Sequence, residues 1–174
     1  MEDDEKGDNI MIFACYAGTG KTTAASLRTD TLDFLLAPYK YRLPFAGDLT
    51  YKEREEQKAT EQDFFDIQYP LKYVEALKPY MDQYTYILIP TDPNVLDCLD
   101  EEVIPYILIL PDFQIPEMKK IYEERYKRRG NNDRFLSIFI GQWERWMNGL
   151  SVRKRPYITL EENEYVSDIL ERFL

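Results

Sequence analysis

The stretch Cys15-Tyr16-Ala17-Gly18-Thr19-Gly20-Lys21-Thr22-Thr23 carries the residue types that phosphate chemistry needs, in the order it needs them. Gly18 and Gly20 let the backbone curl so that successive N–H groups point inward at phosphate oxygens. Lys21 opens a helix-prone run, so an ammonium and the positive end of a helix converge on one spot. In this layout Gly18, Thr19, Gly20, Lys21, Thr22 and Thr23 hold the phosphates of ATP, and Lys21 reaches the β- and γ-phosphates. The Thr22 hydroxyl ligates Mg²⁺. The pattern G-x-x-x-x-G-K-[ST] has glycine where this chain has Cys15. That position opens the turn without cradling phosphate, so a small residue can serve there.

A second set of candidates is basic. Lys119, Lys120, Arg125, Lys127, Arg128, Arg129 and Arg134 fall within one stretch of a chain whose net charge is −10. Arg125, Arg128 and Arg129 are related by i+3 and i+4, so they share one side of a helix, and Arg125 lies beside its apolar stripe. Guanidinium groups aimed at a transferring phosphoryl stabilise its spread charge, which makes Arg125, Arg129 and Arg134 candidate clamps. The competing reading is a solvated helix paired Glu123 to Lys127 and Glu124 to Arg128, and it is preferred for Lys119 and Lys120. After the strands that must position the loop, Asp92 is the candidate outer-sphere carboxylate for Mg²⁺, and Asp33 and Arg42 are candidates for binding the acceptor.

Composition narrows the chemistry. Histidine is absent, which removes Ser-His-Asp triads and His-ligated zinc. The two cysteines, Cys15 and Cys98, have no metal-type spacing, and Cys98 sits in an apolar helical pattern as a core filler. The acidic balance argues against nucleic acid as a partner, and no run is long enough for a membrane span. At 174 residues the chain has room for one domain with a real core. Residues 1–8 are expected to be a disordered acidic tail, with residues 9–174 forming the domain in the cytoplasm.

The elements follow from apolar periodicity. Ile10–Ala14 is a continuous apolar run suited to the middle of a parallel sheet. Thr31–Leu36, closed by Pro38, Tyr84–Ile89, Tyr106–Leu110 and Tyr157–Leu160 read as the other strands. Helices are expected from about Lys21 to Arg28 and from Pro70 to Met81, with Leu71, Val74 and Leu77 inward and a kink at Pro79. Others follow Thr91-Asp92-Pro93 and run from Pro116 to Arg129. Asn132-Asp133 caps one with the stripe Phe135, Ile138, Phe139, Trp143, Trp146, Met147 and Leu150. A last helix spans Glu162 to Phe173, with Tyr165 and Phe173 inward. The run Lys52-Glu53-Arg54-Glu55-Glu56-Gln57-Lys58 has no apolar face and reads as solvated surface. Alternating strands and helices imply a three-layer α/β domain, with ligands at the carboxyl ends of the strands.

The Gly-Lys-Thr turn after the first strand, a helical insertion between the second and third, and Tyr122-Glu123-Glu124-Arg125-Tyr126-Lys127-Arg128-Arg129-Gly130-Asn131 before a tryptophan-bearing helix together resemble a known group. It comprises the small adenylate-kinase-like proteins of phages and their bacterial hosts, in the nucleoside monophosphate kinase branch of P-loop kinases. The resemblance implies a five-stranded parallel sheet in the order 2-3-1-4-5. It also implies an insertion at about residues 38–70 that covers the acceptor, and an arginine-bearing lid at about residues 115–134. The activity implied is transfer of the ATP γ-phosphoryl to a nucleoside monophosphate, in a bacterial or phage-infected cell. Thr91-Asp92-Pro93 stands where adenylate kinases carry Asp-Gly-aromatic-Pro-Arg. A nucleotide-binding regulatory or interaction protein without transfer is the other reading; it would need the Gly-Lys-Thr turn but not the arginines.

Overall fold

The computed structural model describes residues 10–40 and 66–173. The acidic tail, Arg42 and the charged run at 52–58 lie outside the described residues, as does most of the expected insertion. Five strands form one sheet in the order β2-β3-β1-β4-β5: β1 (Met11–Cys15), β2 (Thr31–Asp33), β3 (Tyr86–Pro90), β4 (Ile107–Pro111) and β5 (Tyr157–Leu160). Every neighbouring pair is parallel. The central strand β1 is apolar along its whole length because both of its faces are covered. Ile12 and Ala14 point into the larger core, Phe13 and Cys15 into the smaller one.

The smaller core is closed by α1 (Lys21–Ser26), through Ala24, and by α8 (Val166–Glu171), through Val166, Ile169 and Leu170. The larger core receives the remaining helices: α3 (Tyr69–Leu77), α4 (Pro93–Glu101), α5 (Met118–Arg129), α6 (Asp133–Phe139) and α7 (Trp143–Ser151). A four-residue α2 (Ala37–Lys40) follows β2.

The elements depart from the sequence expectations in several places. The second strand stops at Asp33, although Phe34 N–H still donates to Leu88 O; the chain then turns into α2, where the fixed φ of Pro38 suits a first helical turn. In α3 the buried residues are Tyr69, Tyr73, Val74 and Leu77, spaced i, i+4, i+5, i+8, which leaves Leu71 more than half exposed. Pro79 tightens the following turn into a 3₁₀ segment, Lys78–Asp82, as a proline at that point should. The tryptophan-bearing helix breaks in two at residues 140–142. Carbonyls freed near the break are taken by side chains: Trp146 Nε1 donates to Ile138 O at 2.9 Å, and Tyr16 Oη donates to Phe139 O at 2.7 Å. The last helix begins at Val166, so Tyr165 stays 40% exposed in the loop before it.

Candidate functional site

The loop after β1 lies where the strand order reverses, with β3 on one side of β1 and β4 on the other, the usual ligand position of open parallel sheets. Cys15 ends β1 and pairs with Pro90 and Ile109, so it belongs to the sheet rather than to the turn. Its side chain is fully buried, and burial, only partly opposed by the charge of Lys21, pushes its thiol up to about 12. That thiol stays protonated at neutral pH and is a packing group, not a nucleophile. Tyr16, the next residue, is also fully buried and meets Phe139, Trp143 and Trp146 edge to face.

From Ala17 onward the loop adopts a conformation only glycine supports cheaply: Gly18 has φ +81° and Gly20 φ +93°. Consecutive carbonyl groups of the loop are held from outside it. Tyr126 Oη donates to Ala17 O at 2.7 Å, Arg125 Nη1 to Gly18 O at 2.7 Å, and the Val166 N–H to Thr19 O at 2.9 Å. In a trans peptide the N–H of the next residue points the opposite way, so these bonds turn the amides of Gly18 and Gly20 toward the loop interior. The Thr19 N–H reaches across the loop to Tyr16 O at 3.3 Å, and its buried hydroxyl donates to the same oxygen at 2.7 Å. The first turn of α1 has no side-chain cap, and among the described residues no hydrogen bond or ion pair engages the Lys21 ammonium. Positive-φ glycines, an uncapped helix start and the Lys21 ammonium therefore follow one another at the carboxyl end of β1, the combination of groups that suits an anion.

The structure distributes the other expected site residues differently from one another. The Thr22 hydroxyl donates to Asp33 Oδ2 at 3.0 Å, while Asp33 Oδ1 is buried with no hydrogen-bond partner among the described residues. Thr23 is exposed on the outer side of the first turn. Asp92, expected as the outer-sphere carboxylate, is committed elsewhere. It caps α4, accepting from the N–H groups of Asn94 and Val95, and it also accepts from Tyr69 Oη and pairs with Lys40. The cap signature Asp-Pro predicts this use of the side chain, so the carboxylate next to the loop threonine is that of Asp33.

Arg125 points inward, as its place beside the apolar stripe suggests, but not as a clamp on a transferring group. It is only 8% exposed, and its guanidinium lies between the rings of Tyr122 and Tyr165, 4.3 and 4.7 Å from their centroids. It donates to Gly18 O and, at 3.1 Å, to Glu162 O. Arg129, one turn further along α5, keeps its guanidinium beside Gly18 and donates from Nε to Asn131 Oδ1 at 3.2 Å. Arg134 is half-buried in the first turn of α6, beyond Gly130, whose φ of +84° ends α5.

Sequence reasoning missed Tyr126 and Tyr165 as parts of this site. Tyr126 packs so close to Gly18 that an added Cβ would lie 2.6 Å from its ring, and Tyr165 covers Gly20 in the same way at 3.1 Å. The tyrosine-rich composition was the one available signal, because a buried phenol needs a hydrogen-bond partner and loop carbonyls supply it.

No family model matches the sequence, and no curated protein matches it. Among solved structures, the chain is similar to the tunicamycin resistance protein of Deinococcus radiodurans. The TM-score is 0.54 at 15% identity, covering 94% of this chain and 91% of that one. At that identity the likeness concerns the fold. The parallel sheet in the order 2-3-1-4-5, the helices on both faces and the glycine loop after β1 make this a P-loop kinase-like α/β fold. Among the described residues no helix is long and apolar enough to cross a membrane.

Proposed function

We propose that this protein binds ATP with Mg²⁺ in the loop after β1 and transfers the γ-phosphoryl to a small acceptor. The observation that carries the reading is the loop itself: amides turned inward at Gly18 and Gly20, followed by an ammonium, Lys21, with no protein partner among the described residues. Those groups match the charge and oxygen-rich surface of a polyphosphate.

Thr22 and Asp33 fit the metal. Their oxygens are 3.0 Å apart, and Asp33 retains a buried oxygen without a partner among the described residues. Mg²⁺ prefers oxygen donors, keeps several waters and takes the rest from phosphates, so one hydroxyl and one nearby carboxylate suffice. When bound, the ion neutralises charge on the β- and γ-phosphates. Lys21 orients the same oxygens. Arg129, beside Gly18, is the arginine of α5 best positioned to meet charge spreading onto the transferring group. The acceptor, by resemblance a nucleoside monophosphate, approaches over the end of β2, with Arg42 and Asp33 as its candidate contacts. Binding without transfer is the rival, favoured by the engagement of Arg125 with backbone rather than with the site.

Calorimetric titration of ATP with and without Mg²⁺, followed by a screen of γ-phosphoryl transfer to the common nucleoside monophosphates, tests the proposal. Lys21→Ala should abolish ATP binding while the ligand-free thermal midpoint stays put. Asp33→Asn should remove the Mg²⁺ dependence of binding. Asp92→Ala should keep that dependence and lose about 1 kcal/mol of stability through the missing cap. Unchanged ATP affinity in Lys21→Ala would sink the assignment, and ATP binding without turnover on any acceptor would leave the rival standing.

A further inference from the structure

The two side chains of α5 nearest the loop do not face the space where phosphate would lie. They face the outer side of the loop backbone. Tyr126 is fully buried, and its hydroxyl reaches Ala17 O across a sequence separation of 109. Arg125 is enclosed between two tyrosine rings, with Nη1 on Gly18 O and Nη2 on Glu162 O. A carbonyl and the amide that follows it are opposite ends of one rigid unit. Fixing Ala17 O therefore fixes the direction of the Gly18 N–H, and fixing Gly18 O holds the next peptide in the turn that the Thr19 N–H closes on Tyr16 O.

We propose that Arg125 and Tyr126 are positioning residues of the phosphate site, which hold the loop amides in their anion-binding orientation by binding the carbonyls behind them. The inference rests on the phosphate-site reading above and gives Arg125 a different role from a transition-state clamp. A clamp acts on the γ-phosphoryl during transfer and leaves ground-state affinity nearly unchanged. A brace of the loop acts on every ligand whose phosphates use those amides, with or without transfer. Charge strengthens the case for Arg125. A guanidinium donating to Gly18 O makes a charge-assisted bond, stronger than a neutral one, and polarises the peptide whose N–H closes the loop on Tyr16 O. Tyr126 also accounts for the glycine at position 18. The ring of Tyr126 occupies the volume a Cβ would need, so loop and helix can approach closely enough for both bonds only if that position lacks a side chain.

Three probes separate this role from packing. Wild type, Tyr126→Phe, Arg125→Ala and Arg125→Lys are titrated with Mg²⁺·ATP and with inorganic tripolyphosphate, and the ligand-free thermal midpoint of each is recorded. Tyr126→Phe and Arg125→Ala should weaken both ligands by the same factor, about tenfold, the loss of one hydrogen bond's worth of pre-organisation. Arg125→Lys should recover part of the loss, because an ammonium can still donate to Gly18 O. If Arg125→Ala fails to fold, Tyr126→Phe, which keeps the ring, carries the test. Affinities within twofold of wild type, whatever happens to the thermal midpoint, would overturn the proposal and leave a packing role. Weakened ATP with unchanged tripolyphosphate would overturn it too, since the effect would then lie outside the loop. Wild type that binds neither probe would bring down the phosphate-site reading and this inference together.

Discussion

Raising the pH above about 9 should unfold this protein through acids buried in its cores. Burial pushes the Cys15 thiol from 9.0 up to about 12, with Lys21 opposing and Asp33 adding to the shift. Burial raises the Tyr122 phenol from 10.0 to about 12, offset in part by Arg125. It also raises Tyr16 and Tyr73 above 10.0, each with smaller repulsion from neighbouring acids. Each group is held neutral in the folded state and is free to ionise in the unfolded one. The unfolded chain therefore binds fewer protons in this window, and stability falls as pH rises. Below about pH 9 these groups contribute no slope. Above its unfolded value each costs about 1.4 kcal/mol per pH unit. By pH 11 the thiol accounts for about 2.7 kcal/mol and the three phenols for about 1.4 each, roughly 7 kcal/mol in all. That is comparable with the ~5–15 kcal/mol that holds a domain together. Tyrosinate absorbance and far-UV circular dichroism followed through one titration give the answer. At least three of the fourteen tyrosines should resist ionisation until the dichroism collapses, and a thiol-reactive dye should not label Cys15 before that point. Complete tyrosinate absorbance, or labelling of both cysteines, with a native dichroism spectrum would refute the reasoning.

Three further substitutions have expected outcomes. Gly18→Ala places a Cβ at φ +81° and 2.6 Å from the Tyr126 ring, so it should cost about 2–3 kcal/mol and weaken tripolyphosphate binding. Gly149→Ala, in α7 with nothing within 4 Å, should be neutral or stabilising by up to about 1 kcal/mol in thermal denaturation. Cys15→Gly restores the common loop pattern but empties a buried position at the end of β1. It should lower stability by about 2 kcal/mol and leave ATP affinity within a few-fold, as denaturant unfolding and calorimetry would show.

The sequence by itself determined the glycine turn and the strands around it, whereas their order in the sheet was implied only by the family resemblance. The glycine turn after β1 is contiguous, with positive φ at Gly18 and Gly20 and a lysine directly after, so local chemistry suffices to read it. The apolar run of β1 and the Asp-Pro start of α4 were legible for the same reason: each depends on neighbours within a few residues. The break between α6 and α7 was not, because the stripe of apolar residues continues across it in sequence. What stabilises the break is Tyr16 and Trp146 binding carbonyls of α6, and Tyr16 lies 123 residues before the carbonyl it caps.

The same distance in sequence hid the division of labour among the charged groups. Periodicity turns Arg125 inward, but whether it meets phosphate or backbone depends on how closely α5 packs on the loop, and Tyr126 and Gly18 set that separation. Asp33 ends β2 and Asp92 follows β3, and in sequence either could supply a carboxylate at the carboxyl edge of the sheet. Only the packed sheet brings Asp33 to 3.0 Å from Thr22, and only the folded start of α4, with Tyr69 and Lys40 beside it, satisfies Asp92. Sequence specifies the donors and acceptors available. Tertiary structure decides their pairing, because a hydrogen bond requires contact within about 3 Å and a chain brings distant residues that close only by packing.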